Sequence, residues 1–211
     1  MRKEIKHYLP EEIEKRSFEL IEEGLGEAKL EPELAPIIKR VIHTSADFEY
    51  ATSMCFSEAV VQKAHEALKK GAWIITDTQM VKAGINKKAV ATFGGEVHCF
   101  IADDDVAQEA KARGTTRATI SMEKAAKLKK PLIFAIGNAP TALIKLYDLI
   151  EQGFKPELII GVPVGFVNVV ESKDLIMQTN IPYIVAKGRK GGSNIAAAIC
   201  NALLYEANKV N

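Results

Sequence analysis

Five short apolar runs in the last two-thirds of the chain constrain the fold more than any other feature of the sequence. Each run is rich in β-branched residues, too short for a helix, and as evenly apolar as a strand that is buried on both faces. The runs cover residues 73–76, 97–101, 132–136, 158–161 and 183–186. Helical spacing or composition separates them at residues 106–113, 116–130, 139–152, 168–178 and 193–209. This alternation predicts a parallel sheet built from βα units.

The first 70 residues have a different, helical pattern. Apolar spacing predicts helices at residues 11–23, 32–45 and 57–70, whereas residues 48–56 could form a strand or a loop. We therefore expect a doubly wound, three-layer α/β/α sandwich with a five-stranded parallel sheet and an N-terminal helical layer. The length of 211 residues is typical of a single domain, which we expect to span 1–211.

Charge and hydropathy narrow the class of protein. The 28 basic and 27 acidic residues give a formal net charge of +1, which offers no case for nucleic-acid binding. The longest run without a charged residue, 191–205, is shorter than the roughly 20 apolar residues that cross a bilayer. The charged N-terminal segment also lacks the apolar region of a secretory signal. We expect a cytoplasmic protein that acts on a small molecule.

The cysteines and two of the histidines give no sign of a metal or redox site. Cys55, Cys99 and Cys200 are widely spaced and odd in number, which predicts buried thiols. His65 and His98 have apolar neighbours, which favours packing or surface roles, and neither has metal-ligand spacing. No strand is followed by a G-x-G-x-x-G motif, which disfavours a dinucleotide-dependent oxidoreductase.

His43 is the most informative side chain. The apolar residues of the predicted helix 32–45 share one face, and His43 points almost directly away from it. Arg40 lies one turn earlier on the same side, and Asp47 would follow if the helix reached that far. Because imidazole can give and take a proton at neutral pH, His43 is the first candidate for acid–base catalysis. A solvated helix face carrying these charges explains the same spacing.

Ser17 places a hydroxyl on the apolar stripe of the first predicted helix, between Ile13 and Leu20. A hydroxyl in that position needs a hydrogen-bond partner. The partner could be a carbonyl of the same helix or a ligand.

Two helix openings carry cations that could bind anions. Residues 188–193, with the sequence GRKGGS, leave a predicted strand and open the last helix, so Arg189, Ser193 and backbone N–H groups come together. A simple glycine-rich turn is the alternative. Arg117 opens another helix, where a cation opposes the helix dipole. Its partner could be a substrate carboxylate or a structural aspartate.

Five motifs, in this order, resemble the precorrin-8X/cobalt-precorrin-8 methylmutase family of cobalamin biosynthesis. The resemblance extends from about residue 14 to residue 204. The motifs are RVIHTSADFEY at 40–50, TDT with MV and GI within 76–85, GNAPTAL at 137–143, GVPVGFV with ESK within 161–173, and GRKGGS at 188–193.

The resemblance implies a flavodoxin-like fold and a homodimer with the substrate near the subunit interface. It implies an isomerase that needs no cofactor and moves a methyl group from carbon 11 to carbon 12 of the corrin ring. That reaction converts (cobalt-)precorrin-8 to hydrogenobyrinate or its cobalt-containing counterpart, cobyrinate. His43 would match the acid–base histidine of the family, and Ser17 and Arg40 would match its substrate contacts.

The residues fit this assignment, because a methyl shift mainly requires that the macrocycle be held in one protonation state. The acetate and propionate arms of a corrinoid would explain Arg117, Arg189 and Ser193. Residues 47–50 and 166–170 look more like the cobalt-bearing branch, in which the metal arrives inside the substrate. A non-catalytic corrinoid carrier is the alternative, and it would have no use for His43.

Overall fold

A six-stranded sheet with helices on both faces forms the centre of the protein in this computed structural model, which describes residues 7–209. The strands are β1 (Met54–Phe56), β2 (Trp73–Thr76), β3 (Val97–His98), β4 (Leu132–Ile136), β5 (Leu158–Gly161) and β6 (Tyr183–Ala186). Their order across the sheet is β1-β6-β5-β4-β2-β3. Strands β2 to β6 pair in parallel, and β1 pairs antiparallel with β6.

The expectation of five strands, all parallel, is therefore wrong, because the sheet has a sixth, antiparallel strand, β1, at one edge. The ambiguous segment 48–56 contains a helical turn followed by β1, whose three residues are too few to produce a recognisable strand pattern. Strand β3 keeps only two of the five residues predicted for it. It pairs with β2 alone, at the opposite edge of the sheet.

Eleven helices occur within the described part of the chain. They are α1 (Pro10–Leu25), α2 (Ala35–Ser45), α3 (Tyr50–Ser53), α4 (Val60–Lys69), α5 (Gln79–Gly84), α6 (Lys87–Ala91), α7 (Asp104–Arg113), α8 (Arg117–Ala126), α9 (Pro140–Glu151), α10 (Val169–Met177) and α11 (Ser193–Lys209). The sequence did not predict α3, α5 or α6, which have four to six residues each. Side-chain caps explain two of them, since Thr78 accepts from Val81 N and Asn86 accepts from Ala89 N.

Two apolar cores cover the two faces of the sheet. Alternate residues of β4 face opposite sides, so Ile133 contributes to the core under α2, α4 and α11, and Phe134 to the core under α8, α9 and α10. Both residues are at most 2% exposed. Burial on both faces is the reason that the strands are visible in the sequence as uninterrupted apolar runs.

The N-terminal helix differs from the expected arrangement. Helix α1 packs on α2, and Ile21 is its one buried residue. Ile13 and Leu20 lie at the surface, 55% and 49% exposed, so the stripe that contains Ser17 does not face the core.

Cys99 and Cys200 are buried as predicted, but Cys55 in the edge strand is only half-buried. No helix among residues 7–209 has the length and apolarity needed to span a bilayer.

Candidate functional site

Asp77 joins two loops at the carboxyl edge of the sheet, where open α/β folds bind ligands. It follows β2 and is 1% exposed. Its carboxylate accepts hydrogen bonds from the backbone N–H groups of Gly137 (2.9 Å), Asn138 (2.8 Å) and Ala139 (2.7 Å). Burial raises the pKa of Asp77, and the three N–H bonds oppose that shift. The loop after β4 is thereby fixed to the end of β2.

A third loop meets the first two through Ser193. The hydroxyl groups of Thr78 and Ser193 are hydrogen-bonded at 3.0 Å. Gly137 lies so close that a Cβ there would be 2.7 Å from the Cα of Ser193. Loops following β2, β4 and β6 therefore converge, and Ser193 at the start of α11 lies where they meet.

Loop 188–193 is packed tightly against the end of β5. Gly192 N donates to the carbonyl of Val162 (2.9 Å). Gly191 has a φ of +157°, and a Cβ there would lie 2.1 Å from the same carbonyl oxygen. Only glycine can occupy that position. The loop is therefore a glycine-rich turn whose path is fixed by its contact with Val162.

Lys173 on α10 holds the same loop from beneath. Its side chain is 1% exposed, and its ammonium group donates to the carbonyl oxygens of Gly188 (2.7 Å) and Lys190 (2.8 Å). Burial lowers the pKa of Lys173 to about 8. The sequence did not single out Lys173, because a lysine in a helix normally lies in solvent. The ESK motif that contains it was the one available signal.

His43 lies outside the core, as its helical spacing predicts. It is exposed on the last turn of α2, and its ring stacks on Phe18 of α1 at a centroid distance of 5.3 Å. Arg40 shares this aromatic partner, with its guanidinium 5.0 Å from the centre of the Phe18 ring. The Nη1 atom of Arg40 also pairs with Glu14 at 2.5 Å. The sequence singled out His43 and Arg40 as candidates but gave no sign of their shared contact with Phe18.

The expected cluster of Arg40, His43 and Asp47 does not form. Helix α2 ends at Ser45, and Ala46 adopts a left-handed conformation with a φ of +54°, so Asp47 leaves the helix. The Asp47 carboxylate pairs with Lys190 at 2.6 Å, which lowers the pKa of Asp47. Lys190 also contacts Glu49 at 2.8 Å. These ion pairs connect the end of the His43 helix to loop 188–193.

Ser17 and the two other candidate arginines have contrasting environments. Ser17 Oγ donates to the carbonyl of Ile13 in its own helix at 2.8 Å. Arg117 begins α8, directly after the capping residue Thr116. Arg117 and Arg189 are both exposed, and neither forms an ion pair within residues 7–209. The structural aspartate considered for Arg117 is therefore not found there.

Apolar side chains are exposed at the same edge of the sheet. Met80 follows β2 and is 71% exposed, and Phe166 and Val167 follow β5 and are 87% and 77% exposed. The N–H of Gly165, next to Phe166, donates to the carbonyl of Arg189 at 3.2 Å. This edge therefore presents apolar surface and positive charge together, a combination that suits an amphiphilic anion.

The remaining histidines have other surroundings. His98 stacks between Trp73 and Phe100 and lies 3.0 Å from a Glu96 carboxylate oxygen, which confirms its packing role. His65 is half-buried, and burial lowers its pKa. The described residues contain no group of three or more His, Cys, Asp or Glu side chains that could hold a metal ion.

Comparison with known proteins shows which family the chain belongs to. The family model for precorrin-8X methylmutase matches residues 12–206. The chain belongs to the precorrin-8X methylmutase family. A cobalt-precorrin-8 methylmutase from Priestia megaterium is 48% identical over 92% of this chain and 87% of that protein. A precorrin-8X methylmutase from Pseudomonas aeruginosa is 34% identical over 92% and 94% of the two chains.

A solved structure agrees with the fold as well. The precorrin-8x methyl mutase from Thermus thermophilus superposes with a TM-score of 0.86 and 38% identity, over 94% of this chain and 98% of that one. The protein is therefore a methylmutase, an isomerase of cobalamin biosynthesis. The resemblance drawn from the five motifs is confirmed.

Proposed function

We propose that this methylmutase moves a methyl group from carbon 11 to carbon 12 of a corrin ring, with His43 as the proton donor and acceptor. The observation that carries the proposal is the position of His43, which is exposed at the end of α2. Asp47, four residues later, ties that end to the cationic loop 188–193. The shift breaks one carbon–carbon bond and forms another within the same molecule. Substrate and product therefore have equal mass, and no cofactor is needed.

His43 acts by setting the protonation state of the macrocycle. Protonation of a ring nitrogen withdraws electrons from the conjugated system during migration, and return of the proton to imidazole leaves no net change. Such an interaction accelerates the reaction only if it is stronger in the transition state than in the bound substrate. The stack on Phe18 favours this role because it holds the plane of the imidazole nearly parallel to the Phe18 ring.

The carboxylate arms of the substrate bind the exposed cations. Arg189 and Arg117 are exposed and unpaired among residues 7–209, so each can form charge-assisted bonds to a carboxylate. Ser193 contributes a hydroxyl at the start of α11. Exposed Met80 and Phe166 offer apolar surface to the ring.

Ser17 and Arg40 contact the substrate on the α1 side. The Ser17 hydroxyl donates to Ile13, but its oxygen lone pairs can still accept a hydrogen bond. Arg40 pairs with Glu14 through one nitrogen, and the rest of its donor fork is available. Ser17 precedes Phe18 in α1, and the guanidinium of Arg40 lies over the Phe18 ring on which His43 stacks.

The substrate is the cobalt-bearing one, cobalt-precorrin-8, and the product is cobalt-containing cobyrinate. Similarity supports this choice, because identity is 48% to a relative named for the cobalt-bearing substrate and 34% to one named for precorrin-8X.

The protein works in the cytoplasm as a homodimer, with the whole chain forming one domain. The exposed apolar residues of α1 supply a surface for the second subunit.

The test is an absorption spectrum recorded during incubation with cobalt-precorrin-8 and, separately, with precorrin-8X. A methyl shift changes the conjugation of the ring, so the spectrum should change while the mass of the corrinoid stays constant. Faster conversion of the cobalt-bearing substrate is expected. An unchanged spectrum with both substrates would overturn the proposal, and faster conversion of precorrin-8X would overturn the cobalt assignment alone.

A further inference from the structure

Lys173 is a buried cation that the proposed chemistry leaves unexplained. An ammonium group is costly to bury unless a charge or several dipoles compensate it. Lys173 forms no ion pair with a carboxylate in the described part of the chain. The negative charge of Asp174 opposes the lowering of the Lys173 pKa by burial, but burial has the larger effect. Its hydrogen-bond partners are two backbone carbonyls of one loop. An apolar side chain could fill the same space without the cost of burying a charge. The presence of a lysine is therefore better explained by its hydrogen bonds to the loop than by packing alone.

Three consecutive carbonyl groups of the loop accept hydrogen bonds from other parts of the protein. Those of Gly188 and Lys190 accept from Lys173, and that of Arg189 accepts from the N–H of Gly165. On the donor side, the N–H groups of Arg189 and Lys190 make no backbone hydrogen bond within residues 7–209. Both residues are exposed. Consecutive unpaired N–H groups beside a cationic side chain form a concavity that suits an anion.

The same loop determines how the anion site lies relative to His43. The carbonyl of Lys190 accepts a hydrogen bond from Lys173, and the ammonium group of Lys190 donates to Asp47 and Glu49. A change in the backbone at Lys190 would therefore move the ion pair that reaches the end of α2. Lys173 touches neither His43 nor the exposed surface, so any effect on the reaction must pass through this loop.

We propose that Lys173 is a positioning residue for carboxylate binding. It turns the carbonyls of Gly188 and Lys190 inward, which leaves the N–H groups and the Arg189 side chain to the carboxylates of the corrinoid. Its charge, which forms no ion pair with a carboxylate among residues 7–209, also adds to the positive potential at the loop. This inference rests on the proposed function, because it takes the substrate to be a polycarboxylate.

The experiment measures equilibrium binding of cobyrinic acid and of its neutral methyl ester to the full chain. Lys173→Met removes both the donors and the charge, and Lys173→Gln keeps N–H donors without the charge. Lys187→Met is the matched control, since Lys187 is an exposed lysine one residue before the loop. Thermal unfolding and circular dichroism establish that each variant is folded.

Lys173→Met should weaken binding of the acid about tenfold while leaving binding of the ester unchanged. Lys173→Gln should recover part of that loss, and Lys187→Met should have little effect. In turnover, KM should rise in the Lys173 variants with a smaller change in kcat. Should Lys173→Met fail to fold, the comparison of Lys173→Gln with Lys187→Met decides the question.

Two results would overturn the inference. One is unchanged affinity for the acid in folded Lys173 variants, and the other is equal weakening of acid and ester, which indicates a general structural role. Arg189→Ala separates this failure from failure of the proposed function. If Arg189→Ala also leaves acid binding unchanged, loop 188–193 does not bind carboxylates. If Arg189→Ala alone weakens it, only the role of Lys173 is wrong.

Discussion

The imidazole of His43 lies nearly parallel to the ring of Phe18, with 5.3 Å between the ring centroids and 11° between the planes. Because Phe18 belongs to α1 and His43 to α2, the packing of these two helices sets the orientation of the proposed proton-transfer group. Arg40 reinforces the same contact, since its guanidinium lies over Phe18 and pairs with Glu14 of α1. Helix α1 is therefore part of the proposed site as well as part of the helical layer.

Replacement of His43 by alanine should abolish methyl migration and retain corrinoid binding. Loss of a general acid–base group typically lowers the rate about 10²–10⁴-fold. The measurement is the single-turnover spectral change, together with equilibrium binding of the product. Thr44→Ala is the control, because Thr44 is an exposed neighbour on the same helix turn. A His43→Ala variant with a near wild-type rate would remove His43 from the mechanism.

Phe18→Leu should lower kcat up to about tenfold while the chain remains folded. Leucine keeps apolar volume against α2 but removes the aromatic stack, which is worth about 0.5–1.5 kcal/mol. Phe93→Leu is the control, since Phe93 also packs half-buried against the same core. Equal kcat values for Phe18→Leu and the wild type would mean that the stack does not orient His43.

The strands were predictable because burial on both faces leaves an unbroken apolar run, as in 132–136. The edge strand Met54–Phe56 was not predictable, because it has only three residues, too few to show the alternation of apolar residues. Its stability comes from pairing with β6. The end of α2 illustrates a second limit. Helical spacing alone would allow Asp47 to follow His43, but Ala46 ends the helix in a left-handed conformation and Asp47 pairs with Lys190 instead.

The residues of the candidate site also differ in how far the sequence alone reveals them. His43 could be found from one helix, because its outward direction is a local property of the spacing. Asp77 and Lys173 could not be assigned roles, because their partners lie far along the chain. Asp77 binds N–H groups about 60 residues later, and Lys173 binds carbonyls 15 and 17 residues later. Such partners follow from the order of strands in the sheet, which a single helix or strand does not encode.

Arg189→Ala and Arg117→Ala should raise KM and leave kcat nearly unchanged. The carboxylates that they are proposed to bind do not change charge during the methyl shift, so the lost binding is uniform along the reaction. Steady-state kinetics measures both constants, with Lys111→Ala on α7 as a control for removal of a surface charge. Unchanged KM with abolished turnover would contradict a role of these arginines in affinity.

Lys173 should make the stability of the folded protein depend on alkaline pH. Burial lowers the folded-state pKa of Lys173 to about 8 from its ordinary value of 10.5, so the unfolded chain binds the proton more tightly. The free energy of unfolding should therefore rise with pH, by about 2 kcal/mol between pH 8 and pH 10 relative to Lys173→Met. Urea titrations of both proteins at each pH isolate this difference. Parallel pH profiles would mean that Lys173 is not buried as a cation.

The exposed apolar face of α1 predicts a homodimer. Ile13 and Leu20 share one side of the helix with Leu9, the residue that precedes it, and all three are about half exposed, whereas Phe18 and Ile21 pack against the core. An apolar stripe beside the proposed site is what a second subunit would cover, and two-fold dimers are the commonest assembly of soluble enzymes. Light scattering at micromolar concentration should give a mass near twice 23.1 kDa.

Leu20→Glu tests whether this face forms the interface, because a charge at that position would have to be desolvated on association. We expect the variant to be monomeric and to convert substrate more slowly, since a corrin ring is broader than the crevice that one sheet edge encloses and needs a second surface to exclude water. Ala112→Glu adds the same charge at an exposed position of α7 and should leave the dimer intact. A wild-type protein that is monomeric and fully active would contradict the prediction, and a dimeric Leu20→Glu variant would move the interface away from α1.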